Sequence, residues 1–243
     1  ESGCRVVLAS GRPPRAARPA AAAIGVVDTL IACNGALIWD LAGEQAIHHE
    51  PLDAATAAAA VAAVRAASPE SFVGIERLDA WYTDRVPETL QAEAGTEAGD
   101  AAMPSEIGPL PQWLRQPVTQ LDILVPADDV AEVRRVLDPL VSARRLARFE
   151  RSGGLFQLTH PRAEKAVALQ RLARDAGVPR EQVMAVGCGR HDAGMIEWAG
   201  LSVATADAPE SVRRLARVVV PDRAGGGVAR AVARYVVSGP LGP

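Results

Sequence analysis

Two kinds of apolar pattern alternate along this chain. Short apolar-rich segments at Arg5–Ala9, Thr29–Cys33, Thr119–Val125, Val183–Val186, Leu201–Ala204 and Val218–Val220 have the length and character of strands, and Val183–Val186 is apolar without interruption. Between them lie stretches with helical spacing. Asp128–Leu140 places Val130, Val133, Val136, Leu137 and Leu140 on one face. Asp53 stands where a cap is wanted for an alanine-rich helix running to Ala67. Arg15–Ile24 reads as helical despite Pro19, and Ala163–Ala176 is a helix that Gly177 ends. Further helices are expected at Asp192–Ala199, Pro209–Leu215 and Val228–Val236.

Paired strands are expected where turn residues separate apolar runs. Asn34-Gly35 lies between Thr29–Cys33 and Ala36–Trp39, and Ser152-Gly153-Gly154 between Arg144–Glu150 and Leu155–Leu158. Phe72–Ile75 and Ala80–Thr83 form a third pair, whereas Glu93–Pro111 has little periodicity and reads as a mobile loop. Strand–helix alternation at these lengths predicts an α/β fold with a doubly wound parallel sheet. The pattern changes near residue 46 and returns near residue 160, so residues 46–159 read as an inserted α/β layer between two parts of one domain, 1–45 and 160–243. A strand only four residues from Glu1 opens an α/β domain abruptly, and a strand and helix are expected to precede it.

Composition narrows the partners. The 243 residues carry a net charge of −3 with no basic stripe, which argues against nucleic acid. No apolar run is long enough to cross a membrane, and no secretory signal is visible. Three scattered cysteines make no disulfide framework, which fits a reducing, cytoplasmic setting. The oligomeric state is not legible.

The candidate chemistry sits at strand ends. In Val183–Ala199, a strand runs into the Gly187–Gly189 turn and then a helix. That arrangement aims backbone N–H groups and a helix dipole at an anion such as phosphate. The first strand ends at Ser10-Gly11-Arg12, followed by Pro13-Pro14. A hydroxyl there can hold a phosphoryl oxygen, or it can simply cap the next helix.

Taken in order, four segments resemble the haloacid dehalogenase-like phosphohydrolases, in particular their Cof-type, subclass IIB branch. VVLASGRPP is similar to the family's second motif and LIACNGALIWD to the strand after it. Lys165, in PRAEKAVALQRLARDAGV, falls at the third-motif lysine. VMAVGCGRHDAGMIEWAGLSVATADAPESVRRLARVVVPDRAGGGVARAV resembles the fourth motif and the tail. The resemblance implies a Rossmann-like core with a cap inserted at residues 46–159. It also implies Mg²⁺-dependent hydrolysis of small phosphorylated metabolites, sugar phosphates among them. The nucleophile and the phosphate are both negative, so a metal and a lysine must neutralise their repulsion. Carried over residue by residue, Ser10 and Lys165 would take catalytic roles. Ser10, Gly11, Arg12, Asn34, Gly35 and Lys165 would contact substrate, and Asp192 would face the metal.

Two departures bear on activity. No Asp-x-Asp-Gly-Thr motif occurs in the 243 residues, so the aspartate nucleophile is lacking. The family pattern GDGxNDxxM stands here as GCGRHDAGM, with Cys188 for the metal-binding Asp and His191 for the Asn. Mg²⁺ is a hard cation that prefers oxygen, so its binding is expected to weaken. Three readings of Cys188 stay open: an inert small residue, a ligand with His191 and Asp192 for a softer metal such as Zn²⁺, or a thiolate activated by the helix N-terminus. His48, His49 and His160 read as surface or interface residues. The chain is therefore expected to be a catalytically deficient hydrolase-family member, with a non-enzymatic phosphate-ligand binder or a ligand-free remnant as the alternatives.

Overall fold

The structure is a computed structural model, and it describes residues 3–86 and 103–238. It divides into two compact units, Leu8–Ala163 and Glu1–Val7 with Glu164–Pro243.

In the second of these units, three strands form an all-parallel sheet in the order β11 (Met184–Gly187), β12 (Leu201–Thr205), β13 (Val218–Val220). Met184 lies opposite Leu201, and Val203 opposite Val218. Helices α6 (Ala193–Trp198) and α7 (Glu210–Arg213) connect the strands, while α5 (Lys165–Asp175) precedes the first and α8 (Gly227–Val232) follows the last. The last helix ends in a π-turn over Ala233–Val237, which carries it one residue past the end expected at Val236. Every apolar run read here as a strand is one, because a parallel sheet covered by helices rewards continuous Val, Leu and Ala. All three strands point the same way, so the loops that follow them share one sheet edge.

The Leu8–Ala163 unit holds two sheets. The first runs β1 (Val6–Ala9), β2 (Val27–Ala32), β3 (Leu37–Asp40), β4 (Gln45–His49), with only the last two residues of β1 inside this unit. From β2 onward the pairing is antiparallel, with Leu30 opposite Trp39. This departs from an all-parallel sheet because the Asn34-Gly35 turn folds the chain straight back. Cys33 and Asn34 both take positive φ there, +49° and +56°. Strand β4 was not anticipated; its residues alternate between exposed and half-buried and form no apolar run. Helix α1 (Pro14–Ile24) keeps Pro19 and ends at Gly25 with φ +77°.

The second sheet has six strands in the order β7 (Glu106–Ile107), β6 (Ala80–Thr83), β5 (Phe72–Arg77), β8 (Gln120–Leu124), β10 (Leu155–Thr159), β9 (Ala147–Arg151). Helices α2 (Ala54–Ala67), α3 (Leu110–Trp113) and α4 (Val130–Ser142) accompany it. Asp53 does cap α2, accepting the Thr56 N–H at 2.8 Å. Alternation along the strands sorts the side chains. Val73, Ile75, Leu121, Ile123, Phe156 and Leu158 bury into a core with Ala57, Ala60 and Val64 of α2 and Leu137 of α4. The intervening residues Glu76, Gln120, Asp122 and Gln157 belong to the other face of the sheet.

The loop expected over Glu93–Pro111 needs correction. Its first part lies outside the described residues. Among the described ones, Glu106–Ile107 pairs in parallel with β6, and α3 follows. Trp113 then stacks on Tyr82 at 5.2 Å, an anchor that local periodicity does not reveal. No described helix is long and apolar enough to cross a membrane.

Candidate functional site

The residues singled out in the sequence fall into two groups, one in each unit. In the parallel-sheet unit, β11 ends at Gly187 and the chain turns through Cys188 and Gly189 into α6. The Asp192 carboxylate folds back over that turn. Its Oδ2 accepts the N–H groups of Cys188 and Gly189 at 3.0 and 2.9 Å. Its Oδ1 accepts from Lys165 Nζ at 2.7 Å. The pair is largely buried, with the two side chains 11% and 12% exposed. Lys165 is the only lysine in the chain and stands at the first position of α5. Gly187 is required by this arrangement: a Cβ there would lie 2.6 Å from Asp192 Cβ.

Burial works against the charge of Asp192, but Lys165 and the two N–H groups outweigh it and hold the carboxyl below the ordinary aspartate range. The Cys188 thiol moves the other way, pushed up by burial and then by the Asp192 carboxylate. A thiolate activated at this turn is therefore not favoured. The loops after β12 and β13 share the same sheet edge, and Asp207 and Arg223 pair there at 2.7 Å. Both lie close enough to Cys188 to act on its thiol. Nothing in the local sequence marked them, since each sits on a different loop.

The donor set does not fit a magnesium ion as it stands. Asp192 is the one carboxylate at the turn, and both its oxygens already hold hydrogen-bond donors. Cys188 offers a neutral thiol. Among the described residues no group of three His, Cys, Asp or Glu side chains is placed to hold a metal, and Cys188, His191 and Asp192 form no such group.

In the Leu8–Ala163 unit, Ser10 and Gly11 form the turn after β1. Ser10 N–H donates to Ile31 O at 2.7 Å, and Ser10 O accepts from Asn34 N–H at 3.1 Å. Ser10 Oγ accepts the Arg12 N–H at 3.1 Å, a bond inside the turn; α1 starts after Pro13 with no side-chain cap, so the hydroxyl does not cap that helix. Arg12 is exposed and Gly11 buried. Asn34 is 2% exposed, and Gly35 beside it has φ +102°. The Asn34 side chain is aimed at the six-stranded sheet: its Nδ2 donates to Gln120 Oε1 and Gln157 Oε1, each at 3.1 Å.

A second buried cluster was not foreseen. Arg15 clamps Glu76 through two bonds of 2.7 and 2.6 Å, and Glu76 shares a hydrogen bond with Asp122. Burial, with the Asp122 carboxylate adding to it, pushes Glu76 up to about 8 against the pull of Arg15. Asp122 is raised too, burial again being the largest cause. Of the histidines, His49 bonds Thr119 Oγ1 at 2.9 Å, while His48 and His160 both approach Glu50, at 3.8 and 3.3 Å. That meeting joins residues 110 apart and had no local signal.

The chain matches the family described as haloacid dehalogenase-like hydrolase over residues 1–232. It is 37% identical over 100 residues to the phosphoglycolate phosphatase of Methanopyrus kandleri, an aligned stretch that covers 41% of this chain and 43% of that one. It is 37% identical over 112 residues to the phosphoglycolate phosphatase of Methanothermobacter thermautotrophicus, covering 46% and 47%. The chain thus spans about half the length of the curated relatives it matches. Among solved structures, a haloacid dehalogenase-like hydrolase from Bacteroides thetaiotaomicron superposes with a TM-score of 0.81 at 24% identity, covering 96% of this chain and 86% of that one. A subclass IIB sugar phosphatase superposes at 0.74 with 18% identity, covering 95% and 85%. At these identities the superpositions speak for the fold alone.

Proposed function

This chain belongs to the haloacid dehalogenase-like hydrolases, and from that membership we propose that it holds a small phosphorylated metabolite, with sugar phosphates as the substrate class. In this reading residues 1–45 and 160–243 are the core and 46–159 the cap. Ser10, Gly11, Arg12, Asn34, Gly35 and Lys165 carry the contacts to the phosphate ester, and Asp192 is the remaining metal-facing acid. One observation carries the reading: the chain's single lysine is held at 2.7 Å on Asp192, at the edge of a parallel sheet where backbone N–H groups of a strand–helix turn also gather. An arriving phosphate dianion competes with Asp192 for the Lys165 ammonium. Ser10 supplies a hydroxyl that can turn from its Arg12 bond toward a phosphoryl oxygen.

The 243 residues do not carry out the family's hydrolysis in this proposal. They contain no Asp-x-Asp-Gly-Thr nucleophile, and Cys188 replaces an oxygen ligand with a neutral sulfur, so Mg²⁺ binds weakly. The same two departures lead to the related reading of a non-enzymatic binder that keeps the phosphate site.

Because Lys165 is unique, reductive ¹³C-methylation places one side-chain reporter on it. Titration with inorganic phosphate is expected to move that signal. Lys165→Ala, followed through backbone amides instead, is expected to abolish binding. Unchanged phosphate affinity in Lys165→Ala would overturn the site assignment. Turnover of p-nitrophenyl phosphate or sugar phosphates that EDTA abolishes would contradict the catalytic deficiency.

A further inference from the structure

The polar face of the six-stranded sheet meets the Ser10–Gly11 turn through a closed set of hydrogen bonds. Gln120 Nε2 donates to Gly11 O at 3.2 Å and to Asp122 Oδ1 at 2.9 Å. Gln157 Nε2 does the same, at 3.1 and 2.9 Å. Asn34 Nδ2 spends both hydrogens on the two glutamine Oε1 atoms, at 3.1 Å each. Each primary amide has two N–H hydrogens, so all six donors of the three amides are used within the ring. The pattern also fixes which way each amide faces. Asn34 needs both Oε1 atoms as acceptors, and Gly11 O and Asp122 Oδ1 need both Nε2 atoms as donors.

Gln120 and Gln157 are 0% and 4% exposed, far from ordinary for glutamine. Strand register explains how they meet: Gln157 lies opposite Asp122 across β8 and β10, and Gln120 is two residues before Asp122 on the same face. Gly11 has no room for a side chain, since a Cβ would lie 2.8 Å from both Asn34 Oδ1 and Gln157 Oε1. One carbonyl oxygen on a functional turn thus accepts two N–H groups from strands more than a hundred residues away.

We infer that Gln120 and Gln157 are positioning residues that lock the Gly11 carbonyl, and with it the turn presenting Ser10, from the six-stranded sheet. They act through Gly11 and do not touch the phosphate; this rests on the proposal that Ser10 serves an anion. Asp122 is the anchor that keeps both Nε2 groups turned toward Gly11. Its Oδ1 accepts from both Nε2 groups at 2.9 Å.

The test uses the full chain labelled with ¹³C-carbonyl glycine and ¹⁵N-arginine. Only Gly11–Arg12 and Gly189–Arg190 then give linked carbonyl–amide signals, because no other Gly-Arg step exists in the sequence. Gln157→Met and Gln120→Met keep the side-chain length and remove the amide. Each is expected to move the Gly11 carbonyl signal upfield, leave the Gly189 signal in place, and weaken inorganic phosphate binding by roughly tenfold, the size of one lost bond of about 1.4 kcal/mol. Gln157→Glu supplies a signature that loss of packing would not: the Gly11 shift should recover as pH falls and the new carboxyl regains a donating proton. A Gly11 carbonyl signal that stays put in both Met variants overturns the inference, as does a moved signal with unchanged phosphate affinity where Ser10→Ala does weaken phosphate binding. The anion proposal is judged separately by Ser10→Ala. If that variant binds phosphate as the unsubstituted chain does, the anion role fails while the carbonyl shift still decides whether the glutamines hold the turn. Should the variants lose tertiary structure, the Gly189 signal would move as well, and Gln157→Asn, which keeps the amide on a shorter stem, then decides by whether the Gly11 shift lies between those of Gln and Met.

Discussion

At the scale of single residues, Asp192 engages three donors at once. It receives one ammonium and two backbone N–H groups, which together lower its pKa and favour the ionised form in the folded state. A carboxyl depressed on folding contributes stability above its ordinary pKa, and loses it as pH falls through the depressed value. Lys165→Met removes the balancing charge and leaves the carboxylate largely buried. Its expected cost is about 2 kcal/mol by urea denaturation at neutral pH, below the 3–5 kcal/mol of a fully buried broken pair because both partners keep some exposure. Cys188→Asp places a second oxygen ligand at the turn. Mg²⁺ affinity measured by calorimetry is expected to rise without any turnover, since the aspartate nucleophile is still lacking; an unchanged affinity would remove position 188 from the metal question.

At the scale of elements, the face of β5 and β8 that carries Glu76 and Asp122 makes a pH-dependent contribution of known sign. Glu76 is raised to about 8, so between the ordinary glutamate range and that value the folded chain binds more protons than the unfolded one. Stability is fully present below pH ~4.5 and lost as pH rises toward 8. Asp122, also raised, works in the same direction, while His49, lowered first of all by burial, works in the opposite one. The informative measurement is therefore a difference. Glu76→Gln should flatten the fall in urea midpoint between pH 5 and 8, and an identical slope in both proteins would show that Glu76 does not hold the proton. The strand-to-helix turn after β11 offers a steric counterpart. Gly187→Ala puts a methyl group 2.6 Å from Asp192 Cβ, so the turn must shift. Loss of the Lys165–Asp192 bond, read from the methylated lysine signal, is the expected consequence.

At the scale of the whole molecule, the two units carry separate apolar cores. One is built on Leu121, Ile123, Phe156 and Leu158, and the other includes Val203, Val220 and Ala231. Leu121→Ala and Val203→Ala each empty a fully buried position, at an expected cost of about 2–5 kcal/mol for the leucine and less for the valine. Each should lower the thermal transition of its own unit in calorimetry. If both substitutions shift one common transition by the same mechanism, the units unfold as a single cooperative block.

The sequence by itself determined the α/β class, most strands and helices, and the family. These follow from information held within ten or so neighbouring residues: continuous apolar runs for β11 to β13, helical spacing in α4, the Asp53 cap, and the motifs around Ser10, Lys165 and Asp192. It also marked Asn34-Gly35 as a turn, because positive φ is a local demand. Local patterning could not show what Asn34 faces, that Gln120 and Gln157 bury their amides on one carbonyl, that Glu76 and Asp122 meet beside Arg15, or that Asp207 and Arg223 join Cys188 at one sheet edge. Nor could it show that Glu106–Trp113 would order against Tyr82. Those contacts join residues tens to more than a hundred positions apart, and each is made only when strand register brings two distant side chains to the same point. A buried glutamine looks in sequence like an exposed one; only the tertiary structure removes the water and leaves it a single set of partners.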